Sequence, residues 1–168
     1  TFIARSILRH LLWMGLDAEI FDVTTYRRKQ FGKQLGSFFN PNNEEFRRQR
    51  QEIAESTLND AITALKDRLS IAIFDGSNIT PHRRRWLEQQ VANSGLHCQT
   101  VFVESVCFDS TIVTQLMKDN YLRSPDYADC TEEQAIADIT MKIKHFEVHN
   151  NTPTHQSFVT HANFVLFC

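Results

Sequence analysis

The chain has 168 residues and a mass of 19.5 kDa, which is the length of one domain with a single core. Hydrophobic residues make up 42% of the sequence and charged residues 23%, which excludes collagen-like and disordered chains, and no apolar run approaches the roughly 20 residues of a membrane-spanning helix. The 18 basic and 20 acidic residues give a net charge of −2, which argues against nucleic acid or a membrane surface as a partner. Any anion-binding site must therefore be built locally.

Hydrophobic periodicity predicts helices and strands that alternate along the chain. In chain order, we predict a helix over 3–14, a strand over 18–23, a basic loop over 26–31, a turn over 40–43, a helix over 44–68, a strand over 71–75, a helix over 81–92, a strand over 99–103, helices over 109–121 and 131–148, and a strand over 163–168. This alternation predicts an α/β domain with a mostly parallel sheet and right-handed crossovers. Thr80 and Pro81 predict the start of the helix over 81–92, as an N-cap and a proline at the first helical position.

The four cysteines are widely spaced, and none forms the Cys-x-x-Cys pair of zinc sites or thiol exchange. This spacing indicates a reducing compartment, so we expect a cytoplasmic protein. The N-terminal helix carries no small-residue cleavage site, which excludes a secretory signal. Because the sequence begins at Thr1 and stops within a predicted strand, we expect a fragment of a longer chain.

Polar residues that directly follow the predicted strands are the first site candidates, because ligands bind beyond the carboxyl ends of parallel strands. Asp75 ends a continuous apolar strand, a position typical of the carboxylate that holds Mg²⁺ in phosphate-transferring enzymes. The alternative is that Asp75 caps a turn or the next helix. Ser77, Asn78 and the run Arg83–Arg85 follow and favour an anion site, although a solvated basic face is the alternative for any single arginine.

Several short motifs carry a family resemblance. The most specific are 75–80 (DGSNIT), 104–107 (ESVC) and 124–127 (SPDY); the others are 1–3 (TFI), 13–15 (WMG), 26–28 (YRR), 38–44 (FFNPNNE) and 83–84 (RR). In this order and spacing, they resemble the kinase domain of the 6-phosphofructo-2-kinase/fructose-2,6-bisphosphatase family, over residues 1 to about 148.

The resemblance implies an α/β, P-loop kinase-like, three-layer fold with a mostly parallel sheet flanked by helices. It implies one domain over residues 1–168, incomplete at the N-terminus and at the C-terminus. The implied activity is transfer of the γ-phosphoryl group of ATP, with Mg²⁺, to the 2-hydroxyl of fructose 6-phosphate. The product would be fructose 2,6-bisphosphate, a regulator of glycolysis.

The resemblance also implies roles for three residues of the active site. Thr1 falls on the last residue of the phosphate loop, whose hydroxyl binds Mg²⁺ and whose backbone contacts the nucleotide. The glycines and lysine that should precede Thr1 are missing from this sequence, so we expect weak ATP binding by the chain as it stands. Asp75 falls on the catalytic aspartate near the magnesium. Cys107 falls on a cysteine of the active site, although the reaction needs no thiol nucleophile and a packing role is the alternative.

For the sugar phosphate, the resemblance implies four contacts whose guanidinium and hydroxyl groups suit a phosphate dianion. They are Arg27, Arg50, Ser77 and Arg83. A fifth contact departs from the family pattern, because Lys142 replaces an arginine and loses the bidentate fork.

Two further departures concern neighbouring polar groups. A nucleotide-binding lysine appears here as Tyr121, so Lys118, one turn earlier, is the nearest substitute. Phe146 replaces a tyrosine whose hydroxyl would bind the sugar. These losses keep a second hypothesis open, a catalytically degenerate protein of the same fold that binds a sugar phosphate. A third hypothesis is a small-molecule kinase with another acceptor. The resemblance also allows two protein partners, a C-terminal phosphatase domain in the parent chain and a second copy in a homodimer.

Overall fold

A computed structural model describes residues 2–103, 109–121, 124–147 and 163–167. The chain divides into two compact units. We call them the sheet unit, made of 1–26, 52–105 and 161–168, and the helical unit, made of 27–51 and 106–160. The expectation of a single domain over 1–168 stays a prediction.

The predicted elements are present, with ends shifted by a few residues. In chain order they are α1 (Phe2–Trp13), β1 (Ala18–Asp22), α2 (Val23–Phe31), α3 (Glu44–Asp67), β2 (Ile71–Gly76), α4 (Pro81–Asn93), β3 (Thr100–Val103), α5 (Ser110–Tyr121), α6 (Glu132–Glu147) and β4 (Asn163–Phe167), with 3-10 turns at Gly36–Phe39 and Pro125–Tyr127. Among the described residues, no helix is long and apolar enough to cross a membrane.

The loop predicted over 26–31 is wrong, because this segment lies in α2. Asp22 begins the helix: its Oδ1 accepts a hydrogen bond from the Thr24 amide at 2.9 Å, and its Oδ2 accepts one from the Thr25 hydroxyl at 2.7 Å. A carboxylate in this position satisfies amide groups that the first helical turn leaves without partners. The basic side chains of α2 show no apolar period, so the sequence pattern carried no helix signal.

The sheet has the strand order β1-β2-β4-β3. β1 and β2 are parallel, with Asp22 opposite Asp75, while β4 is antiparallel to both β2 and β3. Three of the four strands therefore run in one direction, and the α/β class is confirmed. β4 matches the strand predicted over 163–168, but its antiparallel place between β2 and β3 was not predicted.

β2 is buried on both faces, because successive side chains point to opposite sides of a sheet. Ala72 and Phe74 pack in a cluster with buried residues of α3 and α4. Ile71 and Ile73 pack in a second cluster with Ala4 of α1. The sheet unit therefore has three layers, and the two helical layers fix the position of the strand that carries Asp75 near its carboxyl end.

The helical unit has a small core of Tyr127, Ala135 and Ile139. The 3-10 turn at Gly36–Phe39 approaches α6 closely, since a Cβ atom on Gly36 would lie 2.8 Å from the carbonyl oxygen of Asp138. The Asp138 carboxylate accepts hydrogen bonds from the Gly36 amide, at 2.7 and 2.8 Å, and from the Tyr127 hydroxyl at 2.8 Å. This contact positions the Phe38-Phe39 pair in the helical unit.

Candidate functional site

Asp75 lies at the carboxyl end of β2 and is 4% exposed. Its register partner Asp22 uses both carboxylate oxygens to cap α2. The two acids therefore differ in role, although each ends a strand. Asp22 begins α2, whereas Asp75 does not begin a helix.

The loop after β2 is braced by its own polar groups and by α4. Asn78 is 1% exposed, and its side-chain amide donates to the Gly76 carbonyl at 3.2 Å. The Arg84 guanidinium donates to the carbonyls of Asn78 and Ile79 at 3.1 and 2.8 Å. The predicted cap is confirmed, since the Thr80 hydroxyl accepts from the Arg83 amide at 3.1 Å.

The two predicted contacts of this segment sit at its surface. Ser77 is exposed, and Arg83 is partly exposed with its guanidinium 4.8 Å from the centroid of the Trp86 ring. The Arg84 side chain binds the loop. The sheet unit therefore holds Asp75, Ser77 and Arg83. The hydrogen bonds of Asn78 and Arg84 fix the backbone of the loop that leads from β2 to Arg83 in α4.

The helical unit holds a second set of predicted residues around a buried carboxylate. Asp126, 8% exposed, accepts a hydrogen bond from Arg27 at 2.5 Å and hydrogen bonds from Arg28 at 3.0 and 3.3 Å. Burial alone would raise the pKa of Asp126, but the hydrogen bonds from Arg28 and Arg27 outweigh it and hold that pKa below its ordinary value. We call Arg27, Arg28, Asp126, Lys142 and Phe39 the cationic cluster.

Arg27 is the buried member of this cluster, with 4% exposure. One guanidinium nitrogen, Nη2, binds Asp126. The other, Nη1, is buried and has no hydrogen-bond partner in the part of the chain that the structure describes. A buried donor without an acceptor is rare and costly in folded proteins, so this atom points to a ligand.

Lys142 and Arg27 both approach the ring of Phe39. The Lys142 Nζ lies 3.9 Å from the ring centroid and the Arg27 Cζ lies 6.0 Å from it. The first distance is that of a cation–π contact. Burial and then the charge of Arg27 lower the pKa of Lys142 to about 8, while Asp126 and Asp138 act in the opposite direction. The structure thus brings two predicted substrate contacts together.

Arg50 has a neighbouring position in the same unit. Its guanidinium donates to the Phe38 carbonyl, and its Cζ lies 5.9 Å from the centroid of the Phe38 ring. Burial, followed by repulsion from Arg47, lowers the pKa of Arg50. Arg50 therefore holds the backbone of the phenylalanine pair whose second ring meets Lys142.

The remaining predicted residues are less informative. Lys118 is exposed on α5, beside Thr111, Thr114 and Gln115 of the same helix. Thr1 and Cys107 lie outside the described residues, as do the side chains of Tyr121 and Phe146. In the described ranges, no group of three His, Cys, Asp or Glu side chains could hold a metal ion.

Comparison with known proteins gives the family. The sequence model of the 6-phosphofructo-2-kinase family matches residues 1–165. The chain belongs to the 6-phosphofructo-2-kinase family. It is 36% identical over 146 residues to 6-phosphofructo-2-kinase/fructose-2,6-bisphosphatase of Gallus gallus, covering 86% of this chain and 31% of that protein.

Two other relatives agree. The chain is 30% identical over 166 residues to 6-phosphofructo-2-kinase/fructose-2,6-bisphosphatase 1 of Rattus norvegicus, covering 98% of this chain and 35% of the relative. It is 35% identical over 150 residues to 6-phosphofructo-2-kinase/fructose-2,6-bisphosphatase 3 of Homo sapiens, covering 88% of this chain and 28% of the relative. The chain spans about a third of the length of these curated relatives.

Sequence reasoning missed four residues that shape the site of this 6-phosphofructo-2-kinase family member. Asp126 and Phe39 stand within quoted motifs but received no role, and Asn78 and Arg84 were named without their bracing contacts. Arg27 and Asp126 are 99 positions apart, so no local pattern connects them. The position of Asp126 in the turn-forming SPDY segment was the sequence feature that could have indicated its role.

Proposed function

We propose that this chain transfers the γ-phosphoryl group of ATP to the 2-hydroxyl of fructose 6-phosphate and forms fructose 2,6-bisphosphate. The observation that carries the proposal is the buried Nη1 of Arg27, a donor without a partner among the described residues, beside the Lys142 ammonium. The two positive charges of Arg27 and Lys142 beside the Phe39 ring match the charge of a phosphate dianion. The names of the relatives supply the sugar and the reaction class.

The cationic cluster would bind the 6-phosphate. Asp126 holds the Arg27 guanidinium in place, so the free edge of the fork costs little conformational entropy when it meets a phosphate. Lys142 would add a second charge from the face of Phe39. Arg50, Ser77 and Arg83 are further proposed contacts of the sugar phosphate.

Asp75 would serve the phosphoryl donor. Mg²⁺ prefers hard oxygen ligands and commonly takes one or two carboxylates together with substrate phosphates, which fits a single buried carboxylate at a strand end. Bound there with the hydroxyl of Thr1, the ion would neutralise charge on the transferred group. Asp75 would also accept the proton of the attacking hydroxyl. Lys118 is the proposed nucleotide contact, and Cys107 is proposed to line the active site.

A second candidate function is binding without turnover. It is favoured by the exposure of Lys118 on α5 and by a lysine at 142, which keeps its charge only below a pKa of about 8. The relatives are named as bifunctional proteins. We propose that the parent of this chain is also joined to a phosphatase domain and pairs with a second copy.

A coupled assay with MgATP and fructose 6-phosphate tests the kinase proposal. We expect product formation that falls at least 100-fold in Asp75→Asn, because the carboxylate serves both the metal and the proton, and that is unchanged in the exposed-acid control Asp129→Asn. Full turnover by Asp75→Asn would remove Asp75 from both roles. Sugar-phosphate binding without turnover, restored to turnover by Tyr121→Lys, would favour the degenerate protein.

A further inference from the structure

Lys142 differs from the other lysines of the helical unit in its surroundings. The residue is half-buried and its amine lies buried on the face of Phe39, whereas Lys144, two residues later on α6, is exposed. The charged groups that face Lys142 are Arg27 and Arg28 from α2, Asp126 from the SPDY turn and Asp138 from α6 itself. Burial and two guanidinium groups disfavour a third positive charge.

The same cluster offers an anion-binding group beside this amine. Arg27 is more than nine-tenths buried, and its Nη1 has no partner in the described part of the chain. A small molecule that carries both a phosphate and a carbonyl group could therefore place the phosphate at Arg27 and the carbonyl carbon at the amine.

We propose that Lys142 is a covalent modification site, at which its amine condenses with small phosphorylated aldehydes held by Arg27. The lone pair of the neutral amine attacks the carbonyl carbon, a C–N bond forms, and the oxygen takes a proton from the nitrogen. The hydroxyl group then leaves as water with the remaining nitrogen proton, and the nitrogen lone pair forms the C=N bond of an imine. No oxidant or reductant is needed. The inference rests on the anion-binding part of the proposed function and not on catalysis.

The ionisation of Lys142 supports this chemistry. With a pKa of about 8, roughly one amine in four is neutral at pH 7.5, against roughly one in a thousand for an ordinary lysine. The lower basicity reduces the nucleophilicity of each neutral amine. We therefore expect a labelling rate about tenfold above that of an exposed lysine, with Lys144 as the matched control on the same helix.

Pyridoxal 5′-phosphate is the probe, with borohydride to reduce the imine and peptide mass spectrometry of the whole chain to locate it. We expect Lys142 to be labelled about tenfold faster than Lys144 at pH 7.5, with half-maximal rate near pH 8 for Lys142 alone. Pyridoxal, which lacks the phosphate, should label Lys142 about tenfold more slowly. Equal rates at the two lysines, or equal rates for the two aldehydes, would overturn the proposal without need of a variant.

Competition separates this proposal from the proposed function. Inorganic phosphate should slow the labelling of Lys142 but not of Lys144, and its failure to do so would overturn phosphate recognition by the cluster. A titration of the unlabelled chain with fructose 6-phosphate is scored independently. Sugar binding without selective labelling would overturn the modification site alone, whereas selective labelling that phosphate suppresses would support it even if the sugar does not bind.

Discussion

Two pairs of adjacent arginines, one in each unit, have opposite uses. In α2, Arg27 and Arg28 both bind the carboxylate of Asp126, and Arg27 is 4% exposed. The carboxylate uses one edge of the Arg27 guanidinium and leaves Nη1 without a partner among the described residues. We propose that this pair is arranged as a receptor for an anion.

The pair in α4 is arranged as a brace. Arg84 donates to two loop carbonyls, and Arg83 stacks against Trp86 with partial exposure. The two pairs show that two adjacent arginines on a helix do not by themselves predict a role. Adjacent side chains point about 100° apart, so each one meets different neighbours. The acceptor that each guanidinium meets decides whether it braces backbone, as Arg84 does, or keeps a donor for a ligand, as we propose for Arg27.

The largest expected effect comes from removing the acceptor of the first pair. Asp126→Asn leaves the buried Arg27 charge without a counterion, and we expect a loss of about 3–5 kcal/mol in the free energy of unfolding. Urea denaturation at pH 7 measures it. The control is Asp129→Asn, which removes an exposed pair with Lys33 and should cost less than about 1 kcal/mol.

The pH dependence of the free energy of unfolding gives a second test of the stabilisation by Asp126. Because the folded pKa of Asp126 is below its ordinary value, the unfolded chain binds more protons as the solution becomes acidic. The stabilisation is therefore complete above about pH 4 to 5, the upper end of the ordinary carboxyl range, and is lost as pH falls through the folded pKa. Equal stability losses on acidification in the wild type and Asp126→Asn would contradict this role.

The brace is tested by Arg84→Met. The substitution removes a charged donor from two carbonyls, so we expect a loss of about 2 kcal/mol in the free energy of unfolding. Arg85→Met, at an exposed neighbouring position of α4, should change stability by less than about 0.5 kcal/mol. Similar losses in the two variants would show that Arg84 is not a structural brace.

The proposed receptor is tested by Lys142→Met, which keeps an unbranched side chain, one atom shorter, and removes the charge. We expect the dissociation constant for fructose 6-phosphate to rise about tenfold at pH 7, because a charge-assisted contact is worth about 1.5 kcal/mol or more. Calorimetric titration measures it, with Lys144→Met as the exposed control on the same helix. An unchanged dissociation constant for Lys142→Met would remove Lys142 from the receptor.

The smallest effect concerns the start of α4. Thr80→Ala removes the hydroxyl that accepts from the Arg83 amide and should cost about 1 kcal/mol in the free energy of unfolding. Ser77→Ala, at an exposed loop position, is the comparison and should stay within about 0.5 kcal/mol. Thermal denaturation of both variants checks the difference, and a larger loss at Ser77 would contradict the assigned cap.

The sequence was most informative where one local rule acts. A continuous apolar run predicted β2, and the Thr80-Pro81 pair predicted the start of α4. α2 was missed because a capping Asp22 and long-range ion pairs, rather than an apolar face, accompany its helical conformation.

In the candidate site, too, the sequence indicated individual residues but not the long-range contacts between them. The family resemblance singled out Arg27 and Lys142, but their meeting at Phe39 depends on segments far apart in the chain. No spacing rule predicts the buried Asp126 that orients Arg27.

The most direct test of the cationic cluster as the sugar-phosphate receptor is a calorimetric titration of fructose 6-phosphate at pH 7 and pH 9, into the wild type and Lys142→Arg. Affinity of the wild type should fall severalfold, up to about tenfold, as Lys142 loses its proton above its pKa of about 8. Lys142→Arg, which stays charged, should bind about equally at both pH values. An equal fall in the two proteins, or no binding by either at pH 7, would contradict the assignment.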